Sequence, residues 1–179
     1  AIYNELDAAA ESIVAIIESG VIPATLELMD NTTIRAVEAY AGVGLPLEAQ
    51  ALLLVEVDGV PEAVEREAAK VEEVCRRCKA AELRLARDDS ERDQIWTARR
   101  SALSALARIR PTTILEDATV PRSQIPAMFK AISEIAKRNN LTIGTFGHAG
   151  DGNLHPNSLT DRRDAEEMAR VERAIEAIF

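Results

Sequence analysis

Both histidines of the 179-residue chain lie in one short stretch, Phe146-Gly147-His148-Ala149-Gly150-Asp151-Gly152-Asn153-Leu154-His155-Pro156-Asn157. A pair of imidazoles can hold a divalent metal or move protons near neutral pH. Asp151-Gly152 is a tight-turn dipeptide. A four-residue turn over 149–152 sets His148 opposite Asn153. Side chains two apart on a strand share a face, so His148, Asn153, His155 and Asn157 then line one side of a hairpin. Diagonal neighbours there are roughly 7–8 Å apart at Cα, near enough for two imidazoles to converge on one ion. Leu154 faces the other way, with Ile143 and Leu141. Gly147, Gly150 and Gly152 remove side chains where a flat ligand or another backbone must come close. Two histidines do not complete a zinc or iron site, which needs three protein ligands or more. Candidate acids are Glu116, Asp117 and Asp151. The same residues also fit a glycine-rich hairpin with two solvent-facing histidines.

The elements that must position this hairpin follow from periodicity. Residues 5–19 have helical spacing and stop at Gly20. Residues 21–29 read as a strand with Pro23 near its start. Asp30-Asn31 offers an N-cap to a helix with the stripe Ile34, Val37, Ala41, broken by Gly42, Gly44 and Pro46. Residues 50–57 form the clearest strand, since Leu52 to Val55 is a continuous apolar run, closed by Asp58-Gly59. Residues 61–79 predict a long helix opened by Pro61. Residues 82–87 alternate polar and apolar, a half-buried strand. A helix over 90–108 carries Trp96 as a core anchor, and 112–120 is strand-like up to Pro121. Ser123 to Asn139 is helical. Residues 141–147 and 154–159 are the hairpin strands, and Asp161 caps a last helix. The order predicts an α+β fold: a mainly antiparallel sheet with helices packed on one face, built from ferredoxin-like split βαβ units. A doubly wound parallel sheet is disfavoured, because no Gly-x-Gly-x-x-Gly phosphate turn is present.

Composition narrows the function. Apolar residues make up 47%, enough for a folded core. Net charge is −9 and aromatics are 3%, which exclude nucleic acid as a partner and argue against docking on anionic lipid. No apolar run approaches the roughly 20 residues of a membrane span. Cys75 and Cys78 form C-x-x-C inside a charged helical pattern, so they read as ordinary helix positions. Two unbridged thiols fit a reducing, cytoplasmic setting. The chain starts at Ala1 and stops at Phe179 without a stop signal, so it is expected to be a piece of something larger.

Gly147-His148-Ala149-Gly150-Asp151-Gly152-Asn153-Leu154-His155-Pro156 closely resembles the signature of the C-terminal cap domain of FAD-linked oxidases. These belong to the vanillyl-alcohol-oxidase-like superfamily, and the resemblance points to its branch of glycolate oxidase flavin subunits and D-lactate dehydrogenases. Further motifs follow in order. Ile22 to Asn31 resembles the first cap strand and Leu53 to Gly59 the second. Trp96-Thr97-Ala98-Arg99-Arg100 is similar to a W-x-x-R-K/R helix, and Asp117-Ala118-Thr119-Val120-Pro121 to a D-x-x-V/I-P strand. The resemblance implies that residues 1–179 are the cap, or substrate, domain of a larger flavoenzyme. A separate N-terminal domain would bind FAD, and the substrate would be a small 2-hydroxy acid oxidised by hydride transfer. His148 and His155 would hold a divalent metal such as zinc, which lowers the substrate hydroxyl's pKa. Arg99 would grip the substrate carboxylate through its planar fork. Asn157 would lie beside the substrate, and Gly150, Asp151, Gly152 and Asn153 would approach the flavin. A G-E-H-G-type segment beyond Phe179 would supply an acidic third ligand and a catalytic histidine. Leu103 and Leu115 stand where 2-hydroxyglutarate dehydrogenases carry Thr and Lys, which favours glycolate or D-lactate. Other subunits of an oxidase complex are the expected partners. The alternative is a non-enzymatic metabolite-binding or assembly module of ferredoxin-like shape.

Overall fold

The apolar run Leu52–Val55 has core side chains on both sides of its strand, and that decides the architecture. The computed structural model describes residues 1–179. Seven strands form one antiparallel sheet: β1 (Ile2–Tyr3), β2 (Thr25–Asp30), β3 (Ala51–Glu56), β4 (Thr112–Leu115), β5 (Ala118–Thr119), β6 (Thr142–His148) and β7 (Asn153–Thr160). Their order is β1-β3-β2-β6-β7-β4, with β5 also on β7. The helices are α1 (Leu6–Glu18), α2 (Asn31–Ala41), α3 (Pro61–Arg77), α4 (Asp89–Leu106), α5 (Ile125–Arg138) and α6 (Ala165–Ile178). The expected class, an α+β fold on an antiparallel sheet, is the one observed. β3 and β6 both run antiparallel to β2 between them, so they are parallel to each other across an inserted strand, the split arrangement.

The helices lie on both faces, and the expectation of one covered face is corrected. Leu53 packs with Leu26, Leu28 and Leu154 under α1, α3 and α5, through Ile13, Ile16, Val74 and Phe129. Leu52 and Leu54 pack with Met29 and Phe146 under α2 and α4, through Ile34, Val37, Ala102 and Leu106. A strand that is apolar on both sides has to be covered on both sides. The second cover is partial: α2 and α4 sit over β3, β2 and β6 and reach Leu159 of β7, while the Asn153 and His155 end of β7 is only half-buried.

Local chemistry sets the boundaries. Asp30 caps α2 by accepting the Thr33 N–H at 2.8 Å, and Asp88 caps α4 through Glu91 at the same distance. Asp164, rather than the expected Asp161, caps α6 through the Glu167 N–H. Asp161 instead binds Arg163 three ways, through its backbone N–H and its guanidinium. Residues 82–87 contribute only an isolated bridge, Ile2 with Glu82, because β1 already occupies the β3 edge. The strand expected over 112–120 is split into β4 and β5. The two keep one register on β7, Leu115 opposite Asn157 and Ala118 opposite Leu154. The gap falls opposite Pro156, which has no N–H to donate to the ladder. Only the reverse bond, from the Glu116 N–H to the Pro156 carbonyl at 3.1 Å, is made there.

Candidate functional site

The hairpin has the expected register: His148 pairs with Asn153, Phe146 with His155 and Gly144 with Asn157. The sheet register then aligns cross-strand rows on the half-open face. One row runs Leu54, Glu27, His148, Asn153, Thr119. The next runs Leu52, Met29, Phe146, His155. The shared register of β4 and β5 sets Asp117 opposite His155, at the end of that row. A third row holds Gly144, Asn157 and Leu115. The first two rows begin under α2 and α4 and emerge toward β7, where Asn153 and His155 are half-buried; in the third row Asn157 is buried.

The two imidazoles are edge to face, with ring centroids 5.2 Å apart. Each ring is anchored through Nδ1. His148 Nδ1 is 2.5 Å from Glu27 Oε1, and His155 Nδ1 is 2.5 Å from Asp117 Oδ1. A carboxylate only accepts, so both contacts call for the proton on Nδ1 and leave Nε2 as the free lone pair of a neutral ring. This carboxylate-histidine pairing is how metal-ligating histidines are held. The His155 side chain is 14% exposed and that of His148 is 47% exposed. Among the acids named from sequence, Asp117 joins the site. Asp151 caps its own turn by accepting the Asn153 N–H at 3.0 Å. The chain places no group of three His, Cys, Asp or Glu suited to a metal ion. The two histidines can therefore supply two ligands of a larger set.

Arg99 reaches the same place from α4. Its Nε donates to Glu27 Oε2 at 2.7 Å, and its Cζ lies 4.6 Å from the centroid of the Phe146 ring. The Nη1 and Nη2 edge of the fork makes no hydrogen bond within the chain. Asn157 lies on the histidine face but is fully buried. Its Nδ2 donates to the carbonyls of His155 at 2.6 Å and Gly144 at 3.2 Å, while its Oδ1 has no partner.

The turn is spent largely on itself. Gly150 N–H donates to the Leu26 carbonyl, and the Asp151 and Gly152 N–H groups both donate to the His148 carbonyl. With the Asn153 N–H on Asp151, no backbone donor from 150 to 153 is left over. Gly152 has φ +82°, and a Cβ there would lie 2.0 Å from the Val120 carbonyl oxygen. Its side-chain-free form serves the approach of another segment of this chain, one of the two reasons expected for it. Contact between this turn and a flavin would run through the side chains of Asp151 and Asn153.

Sequence reasoning missed Glu27. The residue is 5% exposed in mid-strand. A signal was present: an acid interrupting the apolar run Leu26-Glu27-Leu28-Met29, where burial demands a partner. A cavity of about 770 Å³ lies elsewhere, against β3, α3 and the start of α4. It is lined mainly by apolar side chains such as Leu53, Val55, Val71 and Trp96, and shares none of the polar residues above.

The family described as FAD linked oxidases, C-terminal domain, matches residues 1–179. The chain is 52% identical over 179 residues to the glycolate oxidase subunit GlcD of Bacillus subtilis, covering all of this chain and 38% of that protein. It is 37% identical over 170 residues to the Escherichia coli K12 subunit GlcD, covering 95% of this chain and 34% of that one. A probable mitochondrial D-lactate dehydrogenase of Danio rerio is 28% identical over 171 residues, covering 94% of this chain and 34% of its own. A solved alkyldihydroxyacetonephosphate synthase shares the fold with TM-score 0.68 at 14% identity, over 99% of this chain and 39% of its own. The chain thus spans little more than a third of the curated relatives it matches. No helix is long and apolar enough to cross a membrane. With its full length matched and its sheet and hairpin in register, the chain belongs to the FAD linked oxidases, C-terminal domain.

Proposed function

We propose that residues 1–179 form the cap domain of a larger flavin-dependent enzyme that oxidises a small 2-hydroxy acid, of the glycolate or D-lactate kind. The observation that carries this is the convergence of Arg99, His148 and His155 around Glu27 and Phe146 on one sheet face, in a chain similar to glycolate oxidase subunits and D-lactate dehydrogenases. The chemistry drawn from outside the chain is hydride acceptance by FAD and Lewis acidity from a divalent ion such as zinc.

This chain's residues bind and orient. Arg99 offers its unpaired Nη edge to the substrate carboxylate, the edge suited to two parallel hydrogen bonds. His148 and His155 would hold the ion through Nε2, with the third ligand coming from a segment outside these residues. Asn157 holds the carbonyls of Gly144 and His155, and its buried Oδ1 has no partner within the chain. Leu103 follows Arg99 by one helical turn, and Leu115 lies opposite Asn157. Both are partly exposed leucines, and they limit the site to a small tail without a second charge. Asn153, whose Nδ2 is unspent, is the residue of the turn we assign to the flavin side. Two free cysteines, Cys75 and Cys78, support a cytoplasmic setting. The relatives' description as subunits supports assembly with other oxidase subunits.

The test is steady-state kinetics of the full-length enzyme with glycolate and D-lactate. Arg99→Ala should raise KM about 10–100-fold, the range for losing a charge-assisted contact. His148→Ala should lower kcat/KM at least as far. Turnover of neither acid, or equal kcat/KM in both variants and wild type, would overturn the proposal.

A further inference from the structure

We infer that Glu27 is the positioning residue of this site, one buried carboxylate that orients Arg99 and His148 together. The inference rests on the proposed roles of those two residues. It begins with where Glu27 stands. It occupies the middle of β2, flanked by Leu26 and Leu28 on the opposite face, and pairs across the sheet with Leu54 on one side and His148 on the other. Burying a carboxylate in a central strand is costly, and a well-packed apolar residue would hold the strand as well or better. Strand stability therefore does not account for an acid here.

The partners do. Each carboxylate oxygen serves one group: Oε2 takes the Arg99 Nε–H and Oε1 takes the His148 Nδ1–H. Arg99 is then fixed twice, by this bond and by stacking on Phe146. Its plane is set and its Nη edge is the one left for a ligand. His148 is fixed in direction, and in its neutral form also in tautomer, which places the lone pair on Nε2. Asp117 gives His155 a similar bond, but its side chain is 64% exposed and it holds nothing else. Glu27 is the link between the anion grip and the imidazole pair.

The two substitutions at this position separate these functions. Glu27→Gln keeps shape but has one acceptor. Arginine can only donate, so the amide oxygen must stay with Arg99 and the amide NH₂ must face His148. The imidazole then accepts at Nδ1 and carries its proton on Nε2, so an ion can bind there only after the ring changes tautomer and gives up that hydrogen bond. Glu27→Ala releases both partners.

The experiment uses the full-length enzyme freed of divalent metal. Cobalt(II) alone is titrated and followed by its visible absorption bands. Oxalate, a carboxylate the enzyme cannot oxidise by hydride loss, is titrated separately in chelator and followed by the flavin spectrum. Glu27→Gln should weaken cobalt binding about 10–100-fold, the usual cost of removing a carboxylate behind a ligating histidine, and weaken oxalate binding far less. Glu27→Ala should weaken both, oxalate by about tenfold or more. Should Glu27→Ala fail to fold, the split in Glu27→Gln decides alone, because general loosening would lower both affinities. Wild-type cobalt binding that depends on His148 but is unchanged in Glu27→Gln would overturn the role of Glu27 and leave the site standing. Equal cobalt binding by wild type and His148→Ala would overturn the site, and the role of Glu27 with it.

Discussion

Asp30 ties the site's two central strands together, and its ionisation is the sharpest quantitative handle on the fold. The β2–β6 ladder ends at the pair Met29 and Phe146. Beyond it, Asp30 Oδ2 accepts the Thr145 N–H at 2.8 Å while Oδ1 caps α2. The carboxylate thus continues a ladder that pairs Glu27 with His148. Burial outweighs these hydrogen bonds and pushes its pKa up to about 6, from an ordinary 3.8. The folded state then binds this proton more tightly than the unfolded chain does. Below about pH 4 both states are protonated and the group is neutral in the balance. As pH rises from about 4 to about 6 the unfolded chain ionises first, and stability falls. At roughly 1.4 kcal/mol per unit, a shift of this size costs about 3 kcal/mol at neutral pH. Asp30→Asn removes the titration, and it also turns an amide NH₂ toward the Thr33 or Thr145 N–H. The assay is urea denaturation of wild type and Asp30→Asn from pH 3.5 to 7.5. The stability difference between them, in which other titrations cancel, should shift against wild type by about 3 kcal/mol across pH 4–6. Parallel curves would refute the reasoning.

Two further substitutions probe packing that the hairpin depends on. Gly152→Ala combines a positive φ with a Cβ 2.0 Å from the Val120 carbonyl oxygen. It should cost about 2–4 kcal/mol in denaturation and loosen β5 from β7, seen as faster amide exchange at Val120, whose N–H donates to the Gly152 carbonyl. Gly144→Ala would set a Cβ 2.5 Å from Leu106 Cδ2, overpacking that costs about 1–3 kcal/mol. Leu106→Ala alone should cost about 2–5 kcal/mol by opening a cavity. The double variant should lose clearly less than the sum, because the new methyl enters the space the leucine leaves.

The hairpin was legible because its information is local. Asp151-Gly152 fixes the turn, the turn fixes the register, and the register fixes which side chains share a face. The caps Asp30 and Asp88 were legible for the same reason. What failed were the features in which distant segments compete. Glu82 to Arg87 alternates like a strand, yet β1 takes the sheet edge first. Asp161 has the composition of an N-cap, but Arg163 two residues on holds its carboxylate, and Asp164 does the capping. The second helix layer was foreshadowed by Leu52–Val55, whose continuous apolar character marks a strand covered on both faces.

The candidate site divides along the same line. His148, Asn153, His155 and Asn157 belong to one hairpin, and their common face follows from pleat alone. Glu27 stands 121 residues before His148 and 72 residues before Arg99, so no spacing rule connects them. What connects them is the order β2-β6-β7, which makes Glu27 a neighbour of His148, and the seat of α4 on Phe146, which carries Arg99 to the boundary of the covered half. A buried acid in an apolar strand announces that a partner exists without saying which. The pairing of β2 with β6 supplies the answer, and it is the feature on which the proposed chemistry depends: slide β2 by one residue and Glu27 turns to the other face, into the core under α1 and α5, leaving both Arg99 Nε and His148 Nδ1 without an acceptor.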